Sequence, residues 1–306
     1  MGWARFAAAV VLVPFLTVQS GMAWGREGHQ MINRLAGQML PADVPEFLRS
    51  AGALDALEYL GPEPDRWREK VEPELKAAQE PEHFIDMEWA DLVGPLPRNR
   101  YDYVRALAAA QAKHPELTLT AEKVGLQPYA TIEMWERLKA AMREYRKLTA
   151  AKANTKPVEM AIVVYAGILG HYVADGSMPL HTSIQYNGWT GANPKGYTVE
   201  HRIHSQFEGA FVGKHVQIGD VAAAMTTKPM VMGDMFLEYV AYLRHSNSLV
   251  ERTYEVEKLG GYKDAGTAEG KAFAVERLAA GATELRDMIY TAWVKSAEPV
   301  PEYRAN

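Results

Sequence analysis

The sequence predicts an all-α protein organised as a single, mainly helical domain. Three observations carry that reading. Apolar residues recur at three- and four-residue spacing through most of the chain, strand signals are nearly absent, and proline and glycine punctuate the periodic runs instead of gathering in one linker. The 306 residues, 48% hydrophobic and 23% charged, suffice for one large or two ordinary globular domains, and no internal repeat or low-complexity tract divides them.

The chain opens MGWARFAAAVVLVPFLTVQSGMA, with one positive charge at Arg5, an apolar run from Phe6 to Val18, and small residues at Gly21 and Ala23. This pattern reads as a signal peptide over residues 1–23. A membrane anchor is the competing reading, but the run is shorter than the ~20 residues a spanning helix needs, and no second such run is expected further on. Cleavage after Ala23 would leave a chain beginning Trp24-Gly25-Arg26-Glu27-Gly28-His29 and place it outside the cytoplasm, secreted or periplasmic.

Beyond Trp24, helical periodicity marks residues 29–40 (HQMINRLAGQML), 132–148 (IEMWERLKAAMREYRKL), 159–175 (EMAIVVYAGILGHYVAD) and 271–294 (KAFAVERLAAGATELRDMIYTAWV). The Pro/Gly clusters at 41–45, 61–64, 94–97 and 188–196 behave as connectors between helices. One domain over residues 24–298, followed by a polar tail at 299–306, is the simplest organisation. The loops at 91–101 and 187–198 are long enough to carry function.

Composition narrows the chemistry. The chain has 33 Lys and Arg against 38 Asp and Glu, a net charge of −5, with no basic arm, which argues against holding duplex nucleic acid by counterion release. It contains no cysteine, so disulfides, thiolate metal sites and thiol nucleophiles are excluded. There is no GxSxG elbow, no phosphate-binding glycine loop and no HExxH. Histidine remains, and four of the nine histidines sit in a pattern with carboxylates: His83-Phe-Ile-Asp86, His171-x3-Asp175-x5-His181 and His204-x3-Glu208.

His171 and Asp175, four apart in an apolar helix, point from one face a turn apart, and His204 with Glu208 repeats the spacing. Imidazole nitrogen and carboxylate oxygen are the ligands of a borderline cation such as Zn²⁺, and Pro179 frees His181 from the helix to reach a neighbouring ion. Either pair alone reads first as a solvated helix pair; both together, with His181 between them, favour metal.

These residues resemble the trinuclear-zinc superfamily that contains the secreted single-strand-specific nucleases/3′-nucleotidases and the bacterial zinc-dependent phospholipases C. The likeness runs through WGREGH, PDRWRE around Asp65, HFID at His83 to Asp86 and the His171-Asp175-His181 segment, in that order. It implies that family's helical fold and three zinc ions: one held by Asp65, His83, His171 and Asp175; a second by the backbone amino and carbonyl groups of Trp24 with His29 and a bridging Asp175; a third by His181, His204 and Glu208. Glu208 departs from the nucleases, which usually place Asp there, and matches the phospholipases. The 23-residue step from His181 to His204 and the WGREGH start are closer to the nucleases.

Three divalent ions would neutralise a phosphodiester without any basic patch, which reconciles an acidic chain with a phosphate substrate. Asp65 is expected to orient or deprotonate the attacking water, and Arg68 to place its guanidinium on a phosphate oxygen or else pair with a nearby acid. Asp86 is expected to accept from a nucleobase or from a zinc-bound imidazole, or to pack within its helix. Phe84, Trp89, Tyr186 and Trp189 read first as packing aromatics, and His114, His201, His215 and His245 as ordinary histidines. The expected activity is hydrolysis of single-stranded nucleic acid and nucleoside 3′-phosphates. A phospholipase C acting on a lipid head group is the alternative, and a non-catalytic zinc-binding helical protein the third. No stable protein partner and no transmembrane segment are implied.

Overall fold

The computed structural model describes residues 24–300. The expected signal peptide and residues 301–306, most of the expected polar tail, lie outside the described residues. Fifteen helical segments account for most of the described chain: α1 Gly25–Gln38, α2 Ala51–Leu60, α3 Glu63–Arg66, α4 Pro73–Gln79, α5 Met87–Ala90, α6 Arg100–Gln111, α7 Ala121–Val124, α8 Gln127–Ala150, α9 Lys156–Ser177, α10 Ile203–Ser205, α11 Val212–His215, α12 Ile218–Ala224, α13 Met235–Ser248, α14 Val250–Lys258 and α15 Ala268–Lys295. The only β pairing among the described residues is two isolated bridges, Ile85 with Gly125 and Tyr186 with Gly188. The protein is all-α.

Local chemistry accounts for the helix boundaries. The side chains of Ser50, Asn99, Asp234 and Thr267 accept backbone N–H groups at the starts of α2, α6, α13 and α15, satisfying donors that have no partner within the helix. Pro128 and Pro157 sit in the first turns of α8 and α9, where a missing N–H costs nothing.

One hydrophobic core runs from Trp24 to Ala292, and α9 lies at its centre, packed against α8, α15, α2 and α1. By length and composition α9 could cross a membrane, so the sequence expectation of no second long apolar run was wrong. The apolarity has another cause: residues 166–177 of α9 are all buried, and a helix covered on every side needs apolar residues on every side.

Close approach of α1, α2 and α9 is built from small residues and one amide. Asn33 on α1 donates to the Leu57 carbonyl at 2.9 Å and to the Gly167 carbonyl at 2.8 Å. Gly170 is required there, because a Cβ at that position would lie 1.9 Å from Asn33 Oδ1. This contact places the last two turns of α9, with His171 and Asp175, beside the start of α1, with His29.

Candidate metal centre

The sequence-predicted ligands come from seven separate elements and converge. His29 is on α1, Asp65 on α3, His83 at the end of a 3-10 turn (Glu80–His83), His171 and Asp175 on α9, His181 in the 3-10 turn Pro179–Thr182, His204 on α10, and Glu208 in a π-helical turn, Gln206–Phe211. All are buried except His204, whose side chain is 14% exposed. His204 and Glu208 therefore do not share one regular α-helix, as their spacing suggested: the backbone widens between them, a distortion that concentrates at functional sites.

Asp175 is the hub. Its Oδ1 lies 3.4 Å from His29 Nε2, and its Oδ2 lies 3.0 Å from His83 Nδ1, 3.3 Å from His171 Nε2 and 3.9 Å from His181 Nδ1. Three groups have ligand atoms close enough to share an ion: His83 with His171 and Asp175; His181 with His204 and Glu208; and His29 with Asp65 and His171. The first two match the expected sets apart from Asp65. In the third, Asp65 is 4.0 Å from both His29 Nε2 and His171 Nε2, so the structure brings Asp65 and His29 together where the family resemblance assigned them to different ions.

Carbonyl partners on the far side of three of the rings fix one proton on each. A carbonyl only accepts, so the nitrogen facing one carries the proton, and the other nitrogen of a neutral ring presents a lone pair. His171 Nδ1 donates to the Gly61 carbonyl (2.8 Å), His181 Nδ1 to the His83 carbonyl (2.7 Å) and His204 Nδ1 to the Tyr186 carbonyl (2.9 Å). The Nε2 atoms of His181 and His204 then face each other at 3.1 Å, with Glu208 oxygens at 3.3 and 2.9 Å. Neither Glu208 oxygen has a hydrogen-bond partner, and Asp65 Oδ2, Asp175 Oδ1 and both His29 nitrogens are buried in the same state. Imidazole nitrogens facing one another beside buried carboxylates make a donor set that fits a divalent cation, which would displace the protons these rings otherwise hold.

The electrostatics divide the rings: His29 and His83 are held neutral, while the neighbouring carboxylates raise His171 and His181. Burial, with His171 stacked 4.1 Å away, pushes His29 down to about 4, against the pull of Asp175 and Asp65. Burial, reinforced by the Arg68 guanidinium, pushes His83 down to about 3. For His181, burial pulls downward, but Asp175 and Glu208 outweigh it and hold the ring at about 9, so without a cation Nε2 carries a proton facing Glu208, and a cation binding there would displace that proton. Burial also opposes ionisation of Asp65, Asp175 and Glu208, yet the surrounding imidazoles, joined at Asp65 by Arg68, keep all three below their ordinary values, Asp175 furthest. The carboxylates stay anionic where a cation would need them.

The cluster opens into a cleft of 870 Å³ whose walls include Arg68, His83, Asp86, His181 and His204. Arg68 pairs with a nearby acid, Asp65. Burial, with Glu88 adding to it, pushes the Asp86 carboxyl up to about 7. Phe84, Trp89 and Tyr186 line the same cleft, whereas Trp189 packs edge-on to Tyr254 at 5.2 Å. Of the two loops singled out by length, 187–198 contributes Asn187, and 91–101 contributes nothing. Sequence reasoning missed Glu80, Glu122, Lys123 and Ser205 on the cleft walls and set His201 aside; none of them belongs to a spacing pattern that would have marked it.

Trp24 caps α1 with its backbone in the left-handed region (φ 40°) and its side chain fully buried. Its ring is a packing element, edge-on to Phe207 at 5.4 Å.

No family model matches the chain, and no curated protein is similar to it in sequence. Among solved structures it is similar to the alpha toxin from Clostridium absonum, at 14% identity and a TM-score of 0.41 over 91% of this chain and 67% of that one. It is also similar to the Clostridium perfringens alpha-toxin isolated from an avian strain, at 12% identity and a TM-score of 0.38 over 90% and 65%. The chain spans about two thirds of the length of each toxin.

Proposed function

We propose that the protein is a metal-dependent hydrolase of phosphate esters. The observation that carries this reading is the convergence of buried, unpartnered carboxylate oxygens and imidazole nitrogens at the floor of an open cleft. A purely structural metal site would be closed; this one has His83, His181 and His204 on the cleft wall.

His29, Asp65, His83, His171, Asp175, His181, His204 and Glu208, with the backbone of Trp24, would hold three zinc ions. When bound, such ions neutralise phosphate oxygens and lower the pKa of water to about 7. The remaining work falls to the chain. Asp65, held anionic and hydrogen-bonded to Arg68, would orient the attacking water and accept its proton. Arg68 turns its guanidinium toward a phosphate oxygen in the cleft, and Asp86 holds or gives up a proton near neutral pH on the cleft wall.

For the substrate, the reading is single-stranded nucleic acid and nucleoside 3′-phosphates. It is supported by the WGREGH start, by the 23-residue step from His181 to His204, and by Asp86 sharing a cleft with Phe84, Trp89 and Tyr186, on which a base can stack. The structural comparisons lend it nothing, since both relatives are toxins by name and neither is named as a nuclease. A second reading, phospholipase C, is favoured by Glu208. Turnover of denatured DNA, a nucleoside 3′-phosphate and phosphatidylcholine, with and without chelator, separates the two. Chelator-sensitive hydrolysis of the lipid alone would replace the nuclease reading, and no turnover of any of the three would overturn the enzyme.

A further inference from the structure

Tyr254 lies on α14, outside every group described above, and is fully buried. Its hydroxyl makes both of its hydrogen bonds to one short segment: it donates to the Gln185 carbonyl at 2.6 Å and accepts from the Gly188 amide at 2.9 Å. Between those two anchors, the Tyr186 carbonyl accepts from His204 Nδ1 at 2.9 Å, and the Asn187 carbonyl accepts from His201 Nδ1 at 2.7 Å. Gly188 sits at φ +109° against the Val199 carbonyl, where a Cβ would come within 2.8 Å, so the segment doubles back in a form that only glycine adopts without strain. The Tyr254 ring is held in turn by Trp189 and Tyr197, whose centroids lie 5.2 and 5.6 Å away.

We propose that Tyr254 is a positioning residue for the His181–His204–Glu208 group, an inference that rests on the metal reading of that group. Its hydroxyl fixes residues 185–188. Their Tyr186 carbonyl fixes the proton of His204 on Nδ1, and the lone pair then stands on Nε2, 2.9 Å from Glu208 and 3.1 Å from His181. A carbonyl behind a ligating imidazole sets both its tautomer and its orientation, and loss of such a partner typically weakens metal affinity 10–100-fold. Tyr254 contacts neither the ligand set nor the cleft, so its effect passes entirely through the backbone of this segment.

The test compares Tyr254→Phe, which keeps the ring and removes the hydroxyl, with Tyr197→Phe, which removes a hydroxyl from the same aromatic cluster that bonds Glu251 instead of the segment. Zinc per chain is measured by elemental analysis at fixed free zinc. The expected result is three ions in the wild type and in Tyr197→Phe, and two in Tyr254→Phe, with affinity for the lost ion down at least tenfold. Three ions in Tyr254→Phe overturn the inference and leave the metal reading standing; no tightly held ion in the wild type overturns both. A second measurement needs no variant: the ring ¹⁵N shifts of His204 in zinc-depleted wild type should report the Nδ1-protonated tautomer, and an Nε2-protonated ring would overturn the inference.

Discussion

The Trp24 indole N–H donates to the Ala174 carbonyl at 2.8 Å, one residue before Asp175. Ser177 Oγ shares that N–H at 2.8 Å, so the start of α1 is tied to the turn of α9 that carries the hub carboxylate. The side chain and the backbone of Trp24 therefore have separable duties, one in packing and one proposed in metal binding.

Those duties predict different phenotypes. A chain beginning at Trp24 should hold three zinc ions, while one that keeps even a single preceding residue should lose an ion and most of its activity with its helical content intact, because the α-amino nitrogen must be free and deprotonated. Trp24→Phe with the correct terminus should keep its ions but lose about 0.5–1.5 kcal/mol, since the buried Ala174 carbonyl loses the indole donor and keeps Ser177 Oγ. Trp24→Ala should lose about 3–5 kcal/mol and still retain more metal than the extended chain. Elemental analysis and urea unfolding read both quantities. Equal metal content and equal rate in the extended and correctly cut proteins would remove the amino-terminal ligand.

Asp175→Asn should be the most damaging single change at the site. One carboxylate lies within 3.9 Å of four imidazoles, and its amide replacement removes their shared anion. At least two of the three ions should be held 100-fold less tightly or worse, with phosphodiester turnover lost in parallel. Retention of three ions under the same free zinc would contradict the hub role.

Metal removal should destabilise the fold, because a site absent from the unfolded chain contributes its binding free energy to folding. At free zinc a hundredfold above the dissociation constant the linkage is about 2.7 kcal/mol per ion, or roughly 5–10 °C in Tm for a chain of this size. An unchanged melting curve after verified chelation would show that the helices pack without the ions.

Asp86 predicts a pH dependence with a definite sign. Its folded carboxyl, at about 7, lies above its ordinary 3.8, so the folded state binds the proton more tightly than the unfolded chain does. The associated stability is full below about pH 4 and is lost as pH rises through 7. Asp86→Asn should therefore gain on the wild type across that interval, by of order 4 kcal/mol at pH 8, in thermal melts taken at a series of pH values. A constant difference from pH 4 to 8 would refute the shift. In the same variant, KM for a nucleoside 3′-phosphate should lose whatever inflection the wild type shows near pH 7.

What could be read in advance was local. Periodicity marked the runs that became α1, α8, α9 and α15, and the His171-x3-Asp175-x5-His181 spacing lies within one helix and the turn after it, so three ligands were legible as a set. The pairing of Asp65 with His29, the π-helical turn under Glu208, the cleft walls at Glu122 and Lys123, and the reach of Tyr254 to His204 were not legible. Each joins residues far apart in the chain, 36 positions for Asp65 and His29 and 66 to 69 for the bonds of the Tyr254 hydroxyl, or depends on how a backbone yields under packing, and a spacing rule covers only residues that share one helix or one turn. The central place of α9 shows the same limit from the other side. Its apolar run has the composition of a membrane span, and only the helices packed around it, with Gly170 pressed against Asn33, made it the core of a globular domain, because burial on every side selects apolar residues whether the cover is lipid or protein.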